Sequence, residues 1–554
     1  MGIAKFVNGR LAGRDGFYYW RRVPGYAAAL ASLALFGSHA GVAPAGAAPS
    51  EVSPAKPRVA FSPKFGIMLE KAMPNSPADR RVSAALRGFL FANFDMPLPN
   101  HGNGAAPGLR ERARAGSTDA MVAIGGIYYA KGIAATVSGH KGSADFRKAR
   151  AWLLKAYAHG SERAGVLLGS FYLQGIGARR DYRRASVYLH RAAAGGNARA
   201  MALLALAYYL IGGGKSVARG NYWLNNAIAG GSLSAMLLAG VGNLPGVGKH
   251  PAPKTAVSLF HTASSKGCAA GAFDLGLCYE RGIGVPKSNR TARKLFRRAA
   301  RKGIPAAMCA LGIMYQNGVG GPVDLAGALH WFKRAALLGY PSGMDDLAVL
   351  YFHGLGTTKD LGKSFRLFRQ AAHAGSRVAM VNLADDYSWG YGTPKNEKKY
   401  VKWLKRAASA GQATAMWQLA LVYLSGPKAE ITSKKGVGLI RSAAKLDQPQ
   451  ALRALGSLYF YGEGGVDQDF AKSLHYYRRA AEKGSVLSML NIGFMYLRGQ
   501  GVPASARRAL KWFRRAQTPV RSLAANGSPS AARLEKTLDA GLKDAKAALH
   551  PEGK

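Results

Sequence analysis

The sequence predicts an all-α fold, a right-handed superhelical α-solenoid of about eleven two-helix repeats. Three observations predict it. A glycine recurs at a near-constant interval. The apolar residues between these glycines have helical spacing. The chain of 554 residues is too long for one core, which rarely grows past about 250–300 residues. With 48% hydrophobic residues the chain is no long disordered polymer, and three cysteines exclude a disulfide-dense scaffold. The charge balance is unusual: 77 Lys and Arg against 29 Asp and Glu, a net +48.

The first segment reads as an export signal. Lys5, Arg10, Arg14, Arg21 and Arg22 face a single acid, Asp15, and no charged residue occurs from Val23 to Ser50. A short apolar heart, Gly25 to Gly37, leads into small residues at Ala40 and Ala45-Gly46-Ala47. That is a charged region, an apolar region and a small-residue exit, so residues 1–47 are expected to be a cleaved signal peptide. Its loss lowers the net charge from +48 to +44. A retained anchor is the alternative, but a span wants about 20 apolar residues and Pro44 interrupts this one. No later segment is long and apolar enough to cross a membrane. Residues 48–114 read as a proline-rich linker with a short helical N-terminal cap starting near Ser76-Pro77.

Residues 115–520 carry the repeat. Its marker glycines are Gly116, Gly160, Gly196, Gly231, Gly267, Gly303, Gly339, Gly375, Gly411 and Gly484, with Asp447 in the one remaining place. Counting each marker as position zero, position 9 is always Gly or Ala, as in Gly276, Gly312 and Ala348. Position 12 is Tyr in every unit but the fourth, which has Asn243. Position 5 is often Met. Positions 5, 8, 9 and 12 share one helical face, so the first helix of each unit, helix A, presents Met, Leu, a small residue and Tyr inward. Paired glycines such as Gly282/Gly284 end helix A, because glycine tolerates the positive φ of a C-terminal cap. Helix B brings an aromatic near position 28 or 29 (Trp152, Tyr188, Trp223, Phe260, Phe296, Trp331, Phe368, Trp403, Tyr476, Trp512) and closes on an Ala-Ala step. One such hairpin cannot bury its own apolar face, and stacking supplies the neighbour. Residues 521–554 read as a C-terminal capping helix, near Ser528 to Leu549, with a tail.

Residues 303–339, with Leu311-Gly312, Tyr315, Gly318/Gly320, Ala328, Trp331-Phe332 and Lys333-Arg334-Ala335-Ala336, resemble the Sel-one-like repeat family, a relative of the tetratricopeptide repeats. The resemblance covers about residues 115–520. It implies a non-catalytic scaffold that organises protein complexes, often in envelope assembly, polysaccharide export or host interaction. Three units depart from the pattern: the first by a longer loop near Lys131–Ser143, the fourth at Asn243–Gly248, the ninth at Gly426-Pro427-Lys428.

The positive charge is spread through the repeats rather than held in a tail. Many bases fall at positions 30 and 31, near the end of helix B. Cations there are favoured by the helix dipole by about 0.3–1 kcal/mol each, which accounts for single positions but not for the total excess. Adjacent helices pack about 8–10 Å apart, close to the Debye length of about 8 Å at physiological salt. Arg298, Arg334, Arg369, Arg406, Arg479 and Arg515 are therefore a candidate strip for anionic partners. In an exported protein such partners are acidic proteins, an anionic envelope polymer or a polysaccharide. Nucleic acid has only the charge behind it. Low acid content also fits an acidic exterior.

Catalytic chemistry finds no constellation. Gly212-Gly213-Gly214-Lys215-Ser216 lacks the first phosphate-loop glycine, since position 209 is Tyr209. Ser53-Pro54-Ala55-Lys56 and Ser138-Gly139-His140-Lys141 match a serine-x-x-lysine string without its companion elements. That string matters because the resemblance implies one alternative function: some cysteine-rich members of the family bind or hydrolyse β-lactams. Those members pair cysteines within repeats. Here Cys268, Cys278 and Cys309 are expected on the A helices of two adjacent units as buried packing, with at most one bond between units. The histidines show no metal-ligand spacing. No cofactor, metal or catalytic residue is expected, and the chain is not expected to be an enzyme.

Overall fold

The computed structural model describes residues 108–137, 143–245, 251–425, 429–525 and 531–549. The expected signal segment, nearly all of the linker, both serine-x-x-lysine strings (Lys141 and Ser138 included), Gly246–Gly248 and Gly426–Lys428 lie outside them. The described residues form twenty-four helices and no strand. They fall into two compact units, one running to Asp360 with residues 373–375, the other comprising Leu361–Ala372 and the chain from Ser376.

In the first unit α1 (Leu109–Arg114) precedes six A/B hairpins and one further A helix. The hairpins are α2 (Thr118–Val137) with α3 (Ser143–Ala158), α4 (Glu162–Gln174) with α5 (Tyr182–Ala194), and α6 (Ala198–Ile211) with α7 (Gly214–Ala229). They continue with α8 (Leu233–Gly242) and α9 (Pro253–Ser265), α10 (Ala269–Arg281) and α11 (Asn289–Arg301), and α12 (Pro305–Gln316) and α13 (Leu325–Leu337). Helix α14 (Pro341–His353) follows. The second unit opens with the B helix α15 (Leu361–His373). Four hairpins come next: α16 (Arg377–Trp389) with α17 (Glu397–Ser409), α18 (Ala413–Ser425) with α19 (Ala429–Lys445), α20 (Pro449–Tyr461) with α21 (Phe470–Glu482), and α22 (Val486–Arg498) with α23 (Ala506–Ala525). Helix α24 (Ala531–Ala547) closes the unit against α23 and α22. In the hairpins of both units the B helix packs on its own A helix and on the next helix of its unit, so the fold is an α-solenoid of two-helix repeats.

Local chemistry explains where the helices start. The marker glycine takes positive φ, as at Gly303 (φ 89), and the next residue caps helix A. Ser161, Asn197, Ser232 and Ser376 each accept a hydrogen bond from the backbone N–H three residues on. Helix B is capped in the same manner by Asp181, Ser288, Asp324, Asn396 and Asp469. Each cap is worth about 1 kcal/mol and recurs in many repeats, which reinforces the period, while helices such as α12 and α14 start on Ile304-Pro305 and Tyr340-Pro341 without one. The position-12 tyrosine carbonyl then accepts from the N–H of the B-helix cap, as in Ser288 to Tyr279 and Asp324 to Tyr315, both 2.8 Å.

The core lies between helix A and helix B of each hairpin. Position 9 has room for a methyl group at most, and in the glycine units not for that: a Cβ on Gly312 would run into the Phe332 ring. Gly276 and Gly493 face Phe296 and Phe513 in the same way. The fully buried residue is the one after the predicted aromatic: Phe332 beyond Trp331, Leu404 beyond Trp403, Tyr477 beyond Tyr476 and Phe513 beyond Trp512. The preceding indole or phenol is less deeply buried, Trp331 and Trp403 being 8% exposed, and an arginine lies over each.

Successive repeats meet backbone to backbone. A Cβ on Gly284 would clash with the Pro253 carbonyl of the preceding B helix, so the second glycine of each pair serves the seam as well as the cap. Two expectations are corrected. The extra residues of the first unit are not simply a longer loop, since α2 continues to Val137. Cys268 precedes α10 as its N-cap, its Sγ accepting from Gly271 N at 3.5 Å, rather than lying within an A helix.

Candidate functional site

The layer of B helices is where charge meets solvent. A helices bury most of their length, whereas B helices bury one stripe, such as Ala292, Phe296, Ala299 and Ala300 on α11. Charge follows the same division. Helix α18 has no charged residue, and α20 and α22 have one base each, Arg453 and Arg498. Helix α23 carries Arg507, Arg508, Lys511, Arg514, Arg515 and Arg521 and no acid.

The six arginines of the expected strip lie on these helices, and each has an internal partner. In the first unit Arg298 donates from Nη2 to the Ser264 carbonyl at 2.7 Å, so it closes the end of the preceding B helix. Arg334 lies over the Trp331 ring, 5.3 Å from its centroid. In the second unit Arg406 and Arg515 repeat that geometry on Trp403 (4.9 Å) and Trp512 (5.1 Å), and Arg369 lies 5.7 Å from the Phe365 centroid. Arg479 combines the two arrangements: 6.0 Å from the Tyr476 centroid, with Nη2 3.3 Å from the Ala444 carbonyl and 2.7 Å from Asp447 Oδ1. All but the half-buried Arg479 are exposed. The ring contacts are each worth about 0.5–1 kcal/mol at exposed sites.

The adjacent position also reaches across repeats. Arg297 and Arg478 donate to the Tyr315 and Tyr496 hydroxyls of the following A helices, at 3.0 and 2.7 Å. Arg293, only 6% exposed, clasps the next hairpin loop: both terminal nitrogens reach the Pro322 carbonyl and the guanidinium stacks 4.2 Å from the Tyr315 centroid. Sequence reasoning missed these clasps. The only signal for them was the arginine doublet eighteen residues before a position-12 tyrosine.

Acids are few and several are hidden. Asp274 is buried with neither carboxyl oxygen partnered, and burial pushes it well above the usual carboxylate range. Burial, and then the Asp274 charge, pushes the Cys278 thiol up to about 12. On α16, Asp385 Oδ1 accepts from Gln418 Nε2 at 3.0 Å, and burial pushes this carboxyl up to about 7. Asp386, pushed up to about 8 by burial and then by Asp385, occupies position 11, where other A helices place Cys278, Met314, Leu350 or Met495. Asp447, with φ 57, is the one non-glycine at positive φ among the described residues. Hydrogen bonds from Arg479 and Lys483 hold its carboxyl below the ordinary value.

Cys268, Cys278 and Cys309 are free and buried. No group of three or more His, Cys, Asp or Glu able to hold a metal occurs among the described residues. No described helix is long and apolar enough to cross a membrane. Gly212 and Gly213 form the turn between α6 and α7, and Lys215 and Ser216 stand in the first turn of α7, with no strand before them. A shallow cavity of about 230 Å³ lies where α6 and α8 begin, lined by Arg199, Ser232 and Ser234.

The Sel1 repeat profile matches residues 118–161, 166–197, 198–232, 269–304, 305–340, 341–376, 377–412, 449–485 and 486–516. Among solved structures, the chain is similar to a protective antigen of uropathogenic Escherichia coli strains that displays an SLR fold. The two are 25% identical over 82% of this chain and 98% of that one, with a TM-score of 0.43. A Sel1 repeat protein from Oxalobacter formigenes is 27% identical over 42% of this chain and 94% of its own, with a TM-score of 0.39. The immunity protein PA5088 from Pseudomonas aeruginosa is 18% identical over 39% of this chain and 82% of its own, with a TM-score of 0.32. No curated protein matches the chain.

Proposed function

Because this chain belongs to the Sel1 repeat family, whose members are generally non-catalytic protein-interaction scaffolds, we propose that it is an exported scaffold of the bacterial cell envelope that receives anionic partners on its B helices. One observation carries the proposal. The exposed layer carries more bases than acids on successive B helices, most of all α23 with six bases and no acid, while Asp274 and Asp386 are buried on inner helices. A surface of one sign raises the local concentration of oppositely charged partners and makes their capture depend on salt. The charged first segment and small-residue exit at Ala40 or Ala47 support export.

The test is capture from envelope extracts with the mature protein, followed by identification of what is retained. The expected partners are acidic proteins or anionic polymers released by raised salt. Retention unchanged by salt would remove the charge argument and leave the scaffold. Sequencing the N-terminus of the mature protein tests export, with a start at residue 41 or 48 expected and an intact Met1 contrary to it. The β-lactam alternative implies paired cysteines, and the free, buried Cys268, Cys278 and Cys309 give it no support. Labelling with a fluorescent penicillin decides the matter, and the proposal expects none.

A further inference from the structure

The cations of the second unit divide by what they touch. The expected strip, at position 31 of α17 and α23, is occupied by ring contacts: Arg406 on Trp403 and Arg515 on Trp512. One helical step away is a second file. Lys398, Lys402 and Lys405 on α17 stand at i, i+4 and i+7, and Arg507, Lys511 and Arg514 stand at the same three places on α23. All six are exposed, and none has a side-chain hydrogen bond, ion pair or ring contact among the described residues. Residues at this spacing share one helical face, with about 6 Å and about 4.5 Å of axial rise between successive members.

We infer that this second file, rather than the ring-stacked arginines, is the anion-binding surface, and that its ligand is a linear polyanion. The inference rests on the anionic-partner reading above and names the residues and the ligand class. Two observations favour a polymer over a folded acidic protein. The file recurs on α17 and α23, and α19 between them keeps Lys434 and Arg441 around Gly438 while Ala471 and His475 interrupt it on α21, so the charge is spread along the unit instead of gathering at one spot, which suits a chain with charge along its length. Neither α17 nor α23 has a large exposed apolar side chain, whereas protein interfaces centre on apolar or aromatic anchors. The first unit differs here, since Val187 on α5, Tyr222 on α7 and Leu337 on α13 stand out from its B helices, 64%, 61% and 86% exposed. A polyanion bound to the file would release its condensed counterions, so affinity would fall steeply with salt.

The test compares two charge-matched triple variants of the full chain. One removes file residues (Lys402→Gln, Lys511→Gln, Arg514→Gln), the other stacked arginines (Arg369→Gln, Arg406→Gln, Arg515→Gln). Binding of fluorescent dextran sulfate is titrated over a salt series, with uncharged dextran and serum albumin as comparisons and thermal unfolding as a check on folding. The file variant is expected to keep its unfolding midpoint, lose about tenfold or more in affinity at low salt and show a shallower salt slope. The stacked-arginine variant is expected to keep most of its affinity and unfold at a lower temperature. Equal affinity losses in the two variants, or a larger loss in the stacked one, would overturn the assignment while leaving the anionic-partner reading intact. Tight binding of albumin without dextran sulfate would replace the polymer with an acidic protein. Salt-dependent binding of neither would end both.

Discussion

At the level of single residues, Asp386 makes the sharpest prediction. It places a carboxyl where Leu350 or Met495 stands in other repeats, and its proton is held up to about pH 8, from an ordinary value of 3.8. The folded state therefore binds more protons than the unfolded chain between these values, so stability falls as pH rises from about 4 to 8. Gln418 faces Asp385 from α18 and Tyr400 lies near it on α17; neither supplies a positive charge. Asp386→Leu is expected to raise the unfolding midpoint at pH 8 and to flatten its decline from pH 5, as read by circular dichroism melts across that range. A variant with the same pH profile as the unaltered chain would show that Asp386 is not the proton store. Gly312→Ala is a second test. Its methyl group would meet the Phe332 ring, and overpacking of this kind costs about 1–3 kcal/mol, measurable by urea unfolding. The small residue at position 9 was legible in the sequence because it recurs in every unit. The hidden proton on Asp386 was not, since an acid in an amphipathic pattern looks the same whether the neighbouring repeat buries it or leaves it wet.

At the level of elements, the arginine clasps govern how one hairpin holds the next. Arg293 bridges from α11 to the loop ending at Pro322, and its guanidinium lies where a Cβ on Gly321 would go. Arg293→Ala is expected to destabilise the first unit and to speed amide exchange in the 317–323 loop. Unchanged exchange there would mean the clasp is dispensable. Helix α24 is the other exposed test. Leu534, Leu538 and Ala545 pack with Phe513 and Val520 of α23, so ending the chain at residue 525 uncovers apolar surface that a terminal cap would cover. That truncation is expected to lower the melting temperature of the second unit and promote association, visible by light scattering. The helix order, the hairpin pairing and the glycine caps could all be read from the period. Which ring of a doublet such as Trp331-Phe332 or Tyr476-Tyr477 is the more deeply buried could not be read, because two aromatics in a row look alike on paper. Packing reveals that the second is the more deeply buried and that an arginine lies over the first.

At the level of the whole molecule, the excess charge of +48 does two jobs. Arginines at the ends of B helices satisfy carbonyls, tyrosine hydroxyls and ring faces within the stack. Lys398, Lys402 and Lys405 on α17 and Arg507, Lys511 and Arg514 on α23 have no side-chain partner among the described residues. The sequence showed how much charge there was and which helices carried it. It could not assign the two jobs, because on α17 and α23 positions 27, 30 and 31 are equally basic on paper and differ only in their neighbours. Lysine acetylation footprinting of the full chain, with and without saturating dextran sulfate, tests this division most directly. The account predicts that Lys398, Lys402, Lys405 and Lys511 lose reactivity when the polymer is present, while Lys483, already paired to Asp447 at 3.2 Å, changes little. Equal reactivity of the four lysines in both conditions, with the polymer demonstrably bound, would contradict it.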